Sequence, residues 1–334
     1  MKVLVTGGAG YIGSHTVRQL VKEGHEVTVL DNLVYGHVAA LPQSGVNFLE
    51  GDLRDPTVLK QAFSGGQDAV IHFAAYAYVG ESVTDPLKYY ENNLAAPLNL
   101  LRAMKEHGCD KFVFSSTCAT YGTPETIPIS EATIQRPINP YGASKMMLER
   151  VLQDCETAWG LTSVFLRYFN ASGCSLDGEI GEDHRPETHL IPRILMAATG
   201  EISHVDIFGT DYDTPDGTCI RDYIHVEDLG DAHLKALSYL ADGGETTAVN
   251  LGTGRGLSVR EILKAAEEAS GREIPVKFSQ RRAGDPARLI ADPTKAKQVL
   301  NWEPQHSDAE TILSTAWQWM KAEHGGRYPD NSTK

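Results

Sequence analysis

The sequence predicts an α/β fold, a doubly wound parallel sheet with a smaller α/β lobe attached. Two observations carry that expectation. Short apolar runs alternate with amphipathic, helix-like stretches through the first 115 residues, the order of parallel βαβ units. The apolar runs also lack polar alternation, as strands covered on both faces do.

Lys2 to Thr6, Glu26 to Leu30, Val46 to Glu50, Asp68 to Phe73 and Lys111 to Ser115 read as strands. Pro86 to His107 reads as one long helix, because Leu87, Tyr90, Leu94, Leu98, Leu101 and Met104 recur at steps of three and four. Pro97 is expected to bend it. Leu148, Val151, Leu152 and Cys155 mark the apolar side of a helix from Tyr141 to Trp159, and a sixth strand runs from Ser163 to Tyr168. After Asn170 the chain turns to loops rich in Gly, Asp, Pro and His, with helices expected near Glu187 to Gly200 and Val226 to Ala241. Ala248 to Leu251 is strand-like and is expected to rejoin the main sheet. The expected division is a nucleotide-binding domain over 1–170 with a returning segment near 225–255, and a smaller, interleaved lobe over 171–334.

The 334 residues are 41% apolar and 22% charged, the balance of a folded domain rather than a disordered one. Thirty basic against forty-four acidic residues give a formal charge of −14, which argues against nucleic acid or an anionic membrane as a partner. A local cluster of arginines can still hold a small phosphorylated ligand. No apolar run reaches the roughly 18 residues of a membrane span, and the start is too short for a signal-peptide core, so a cytoplasmic protein is expected. Five cysteines, odd in number and without a CxxC, indicate neither disulfides nor a structural zinc site. Spacing groups none of the twelve histidines into a metal site, and no metal is expected.

The first strand runs into Thr6-Gly7-Gly8-Ala9-Gly10-Tyr11-Ile12-Gly13, a glycine-rich turn that opens a helix. Gly7, Gly10 and Gly13 allow the tight turn and the close approach of a pyrophosphate, to which the helix start at Tyr11 and Ile12 offers N–H groups. Asp31 closes the second strand eighteen positions beyond Gly13, the place of an acid that accepts from the adenine ribose. A carboxylate there repels a 2′-phosphate, so the expected cofactor is NAD rather than NADP. Asp52 follows the third strand and either accepts from the adenine amino group or caps the turn before Pro56.

Tyr141 and Lys145 stand four residues apart, on one helix face. A nearby ammonium favours the phenolate and makes a tyrosine usable as an acid or base near neutrality. A strand ending in Phe114-Ser115-Ser116-Thr117 precedes them. With the nucleotide turn, this combination resembles the extended short-chain dehydrogenase/reductase family. The resemblance implies a Rossmann-type sheet and a proton-moving triad of Thr117, Tyr141 and Lys145, with Ser115 and Ser116 as the alternative hydroxyls.

Further motifs narrow the likeness: Val79-Gly80-Glu81-Ser82-Val83, Leu166-Arg167-Tyr168-Phe169-Asn170, Gly181-Glu182-Asp183, Phe208-Gly209-Thr210-Asp211-Tyr212, Arg221-Asp222-Tyr223-Ile224-His225-Val226 and Arg281-Arg282-Ala283-Gly284-Asp285. Within the family these are similar to the bacterial UDP-glucose 4-epimerases, from the first strand to Tyr328-Pro329-Asp330. What the resemblance implies is a homodimer that inverts C4 of a UDP-hexose through a 4-keto intermediate with bound NAD. It extends the cofactor set to Asn32, Leu53, Phe73, Ala74, Ala75, Asn92, Ser115 and Tyr168, beside Tyr141 and Lys145. It places Thr117, Tyr141, Phe169, Asn170, His189, Leu190, Arg221, Arg282, Asp285 and Leu289 at the substrate. Two positions depart from the pattern. Ala77 stands where some epimerases carry a Lys near the nicotinamide ribose, and Leu289 where some carry a Tyr, leaving room for a 2-acetamido group. The rival readings are another UDP-sugar epimerase or decarboxylase of the family, and a non-enzymatic NAD-binding protein. A 4,6-dehydratase is disfavoured, because Cys118 and Ala119 follow Thr117 where an acid pair is expected.

Overall fold

Alternate residues of the first strand face opposite ways, and both ways lead into apolar packing. In the computed structural model, which describes residues 1–281, 285–322 and 325–331, Val3 and Val5 join one buried cluster and Leu4 another. In chain order the elements are β1 (Lys2–Thr6), α1 (Tyr11–Lys22), β2 (Glu26–Asp31), β3 (Val46–Glu50), α2 (Pro56–Phe63) and β4 (Ala69–His72). Then come α3 (Val79–Thr84), α4 (Pro86–Tyr90), α5 (Ala96–His107), β5 (Lys111–Thr117), α6 (Pro140–Trp159) and β6 (Thr162–Tyr168). The second half adds β7 (Asn170–Ser172), α7 (Leu190–Thr199), β8 (Val205–Phe208), β9 (Ile220–Arg221), β10 (Tyr223–His225), α8 (Val226–Ala241) and β11 (Thr247–Leu251). Last are β12 (Leu257–Ser258), α9 (Val259–Ser270), β13 (Val276–Ser279), β14 (Arg288–Leu289), α10 (Thr294–Leu300) and α11 (Ala309–Lys321).

Among the described residues the large sheet has seven strands in the order β11-β6-β5-β4-β1-β2-β3, and its pairings are parallel. The first crossover runs outward to β2 and β3 and the next returns to β4, the reversal of a doubly wound sheet. One face is covered by Val17 and Leu20 of α1 with Leu229, Ala236 and Leu240 of α8. The other is covered by Leu59 of α2, Leu100 and Met104 of α5, and Leu148 and Leu152 of α6. Burial on both faces is why these strands read as unbroken apolar runs.

The stretch over 86–107 is helical but not uniform: a π-helical turn at Glu91–Ala95 joins α4 to α5. Pro97 falls in the first turn of α5, where its missing N–H costs nothing. The helix expected from Glu187 starts only at Leu190. β11 pairs with β6, Thr247 opposite Val164, so the chain returns to the large sheet. Ala296, Leu300 and Trp302, which fall in no motif, also pack against its α1/α8 face. A third apolar cluster joins Ile191, Ile194 and Leu195 of α7, Ile262 and Ala266 of α9, and Ile312, Leu313 and Trp317 of α11. No helix of the described residues is long and apolar enough to cross a membrane.

Candidate active site

The C-terminal edge of the large sheet carries the turn after β1, Asp31, the Phe73-Ala74-Ala75 loop, Thr117 and Tyr168, the edge at which doubly wound sheets bind ligands. Gly7 has φ +74°, and a Cβ there would lie 2.5 Å from the backbone nitrogen of Ala74. A Cβ on Gly13 would meet the Gly7 carbonyl oxygen at 2.3 Å. Gly10 is the N-cap of α1 and gives no side-chain cap, and no acid occupies the first turn. The first-turn N–H groups, Tyr11 and Ile12 among them, have no partner within the helix and carry the positive dipole end. That cradle fits a pyrophosphate. Tyr11 also ties the turn across to the second half, donating from its hydroxyl to the Gly173 carbonyl at 2.5 Å.

Asp31 is buried, and its carboxylate accepts from the Ala9 N–H at 3.0 Å and the Leu33 N–H at 2.9 Å. The second contact holds Leu33 at φ +59°, a conformation costly for a leucine. Each oxygen keeps a free lone pair, which suits two ribose hydroxyls. Burial raises the pKa of Asp31, and the two amide contacts oppose it. Asp52 takes a two-pronged contact from Arg54, 2.7 Å from both Nε and Nη2, and one from Asn32 Nδ2 at 3.0 Å. Those contacts hold its carboxyl well below the usual range. Asp52 also accepts from the Arg54 N–H, while the cap of α2 is Asp55. Leu53 is buried with the α2/α5 core. Asn92 donates to the Asn93 side chain at 3.0 Å. Asn93 in turn accepts from the Tyr76 N–H and donates to the Tyr76 carbonyl, both at 2.9 Å, and so holds the loop that carries Phe73 to Ala77.

β5 and β6 pair with Ser116 opposite Arg167 and Thr117 opposite Tyr168. The two-residue period separates Ser116 from Ser115 and Thr117. Ser116 turns under α6 and donates to Glu149 at 2.5 Å, while Ser115 and Tyr168 share a hydrogen bond of 2.5 Å. Thr117 is left beside Tyr141, where its hydrogen bond favours the phenolate. Burial and the neighbouring Tyr168 outweigh it and push the phenol above its ordinary value. Lys145 lies one helical turn on, 2% exposed, and donates to the Ser115 carbonyl at 2.9 Å. Burial lowers its pKa to about 7, and Glu149, a further turn along, opposes the shift.

The start of α6 is set by Asn139, whose side chain accepts from the Gly142 N–H at 2.8 Å. A Cβ at Gly142 would stand 2.4 Å from the Ala119 carbonyl oxygen. Glycine here lets the helix press against the chain that follows Thr117. Gly142→Ala therefore displaces Tyr141 from Thr117, and we expect kcat to fall by about 10²-fold with bound cofactor unchanged, as read by steady-state kinetics and absorbance.

On the substrate side, Phe169 packs with Tyr121, Ile129 and Ala291, and Leu289 lines the same cluster. Asn170 is exposed at the start of β7, its N–H donating to the Asp222 carbonyl at 2.9 Å. Arg221 is buried and paired with Asp285 at 2.5 Å, so two residues expected at the substrate brace each other. Arg282 lies outside the described residues. His189 caps α7 directly before Leu190 and contacts Glu182. His225 is structural, accepting from Glu227 N–H and sharing a hydrogen bond with Thr315 at 3.0 Å.

Two groups escaped the sequence reading. Glu149 is buried on α6, one turn beyond Lys145, and carries no motif. The other is the grouping of Glu182, His184 and Glu187 with His189, of which only His189 was expected at a ligand and which the loop before α7 gathers.

The comparisons agree with this geometry. Residues 3–252 match the model of the NAD dependent epimerase/dehydratase family. A UDP-glucose 4-epimerase of Halalkalibacterium halodurans is 50% identical over 335 residues, covering 100% of both chains. The crystal structure of UDP-glucose 4-epimerase from Brucella ovis in complex with NAD superposes with TM-score 0.93 at 50% identity, covering 97% of this chain and 98% of that one. The UDP-Glc/GlcNAc 4-epimerase of Campylobacter jejuni superposes with TM-score 0.84 at 45% identity, covering 96% and 99%. With a matched family model over most of its length and relatives at half identity from end to end, the chain belongs to the NAD dependent epimerase/dehydratase family.

Proposed function

We propose that the chain interconverts UDP-galactose and UDP-glucose, inverting C4 of the hexose through a transient 4-keto intermediate. The observation that carries this reading is the convergence of Thr117, Tyr141 and Lys145 beside a glycine turn and Asp31 suited to NAD. Gly7, Gly10, Tyr11, Ile12 and Gly13 hold the pyrophosphate, and Asp31 the adenine ribose. Asn32, Asp52 and Leu53 border the adenine; Phe73, Ala74, Ala75, Asn92, Ser115 and Tyr168 line the rest. NAD held by these residues would supply a hydride acceptor and donor for C4. The phenol oxygen of Tyr141 takes the proton of the 4-hydroxyl and gives it back, with Thr117 hydrogen-bonding alongside. Lys145, anchored on the Ser115 carbonyl, supplies the positive charge that stabilises the phenolate. Arg221, Asn170, His189 and Leu190 clamp the UDP moiety, and Arg282 and Asp285 complete the clamp.

Residues 1–170 with the returning 225–255 form the NAD domain in this reading, and 171–334 the UDP-sugar lobe. The chain works in the cytoplasm as a homodimer. Val79, Val83 and Leu87 on α3 and α4 and Met147 on α6 are exposed apolar side chains of adjacent helices, a patch suited to a second copy. Incubating the pure protein with UDP-galactose and no added NAD tests the function. Proton NMR should show the axial C4 proton of UDP-glucose appearing without net oxidation; failure to form it refutes the reading.

The 2-acetamido sugars are a second substrate class, on the observation that Leu289 lines the Phe169 cluster where a larger Tyr would intrude. Leu289→Tyr should cut kcat/KM for UDP-N-acetylglucosamine about tenfold or more relative to UDP-glucose. An unchanged ratio in coupled assays removes the steric argument.

A further inference from the structure

The loop before α7 places Glu182, His184, Glu187 and His189 so that one ligand atom of each lies within 4.8 Å of the others. Proton transfer at C4 uses none of Glu182, His184 and Glu187. We propose that these four side chains form a binding site for one divalent transition-metal ion, zinc by the character of its ligands. Two imidazole nitrogens and two carboxylate oxygens are a zinc set, and a tetrahedral ion about 2.0–2.2 Å from each holds its ligands roughly 3.3–3.6 Å apart. His184 Nδ1 stands 3.1 Å from Glu182 Oε1 and 3.7 Å from Glu187 Oε2, separations on either side of that edge. His189 Nδ1 closes on the same Glu182 oxygen, and a ring rotation opens the space for the ion.

Charge and burial agree. The Glu182 and Glu187 side chains are 4% and 7% exposed, and the charge of the two carboxylates matches that of one doubly charged ion. A second, independent sign is His184 Nδ1, a buried nitrogen aimed into the group that makes no well-directed hydrogen bond. Outer contacts fix the ligands, as metal sites require. Glu187 Oε1 accepts from the N–H groups of Thr188 and His189, both at 2.7 Å, leaving Oε2 for the group. The rings of Tyr11 and Tyr78 stand edge-on to His184, 6.1 and 6.3 Å between centroids. His189 is half-exposed and gives the ion a way in. The ion would fasten the 182–189 loop to the start of α7 and so brace His189 and Leu190 of the UDP clamp, a role that metal content reads without a turnover assay.

The test uses untagged full-length protein carrying its cofactor, stripped with a chelator, dialysed against zinc sulfate and then against buffer. Metal analysis should return one zinc per chain, and cobalt(II) in its place should give the intense visible bands of a tetrahedral site. His184→Ala and Glu187→Gln should each lose the metal, with circular dichroism and bound NAD reporting that the variants fold. His184→Cys, which restores a zinc ligand, should regain it. Zinc-free wild type after dialysis overturns the site in favour of ion pairs alone. Full retention of zinc by folded His184→Ala and Glu187→Gln overturns it in favour of a site elsewhere.

Discussion

Replacing Tyr141 with Phe should lower kcat for UDP-galactose by about 10²–10⁴-fold, the range expected for loss of a positioned general acid or base. The ring is half-buried, so its packing stays while only the hydroxyl goes. No hydrogen bond that sets the start of α6 is lost, because Asn139 caps the helix through Gly142. The melting temperature and bound NAD should therefore match the wild type. KM should change little, since the clamp residues lie on other elements. A Phe variant with more than a tenth of wild-type kcat would assign the proton transfer to another group, and Thr117 is the neighbour to replace next.

The main sheet was legible because strands buried on both faces cannot alternate, so each appears as an apolar run between turns. The glycine turn was legible for a different reason. A Cβ on Gly7 or Gly13 would lie 2.5 or 2.3 Å from a backbone atom, leaving no residue but glycine, and the sequence records that demand. The second lobe was not legible in this way. Its short pairings, β9 with β12 and β14 and β8 with β13, join segments far apart in the chain, and two-residue strands have no period. Trp302 looked like any late aromatic, although it is fully buried with its Nε1 donating to the Asp228 carbonyl at 3.0 Å. The choice among Ser115, Ser116 and Thr117 also needed the structure. Strand alternation separates Ser116 from the other two, but only the partner strand shows that Ser115 is occupied by Tyr168.

Glu149 shows the same limit with a larger consequence. Its side chain is 3% exposed and takes Arg167 at 2.6 Å, with Arg167 itself 7% exposed. Ser116 and Gln135 donate to the same carboxylate, and Arg167 continues to the Tyr121 hydroxyl at 2.9 Å. Glu149→Ala strands a guanidinium in a closed interior and should destabilise the chain by about 3–5 kcal/mol, read as a lower urea midpoint. Arg150, next to it on α6, pairs with Asp154, but both side chains are mostly exposed. Arg150→Ala should cost about 0.3–0.5 kcal/mol, because water screens that pair. Removing both buried charges in Glu149→Gln with Arg167→Met should recover most of the stability, since the expense lies in the unpaired charge rather than in the lost attraction. Activity distinguishes the recovered variant from wild type. Glu149 raises the Lys145 pKa against burial, so without its charge the ammonium is lost at lower pH. The alkaline limb of the kcat profile should move down in pH in the double variant, while Arg150→Ala leaves it in place. A double variant that regains stability with an unmoved profile would make Glu149 a packing residue only.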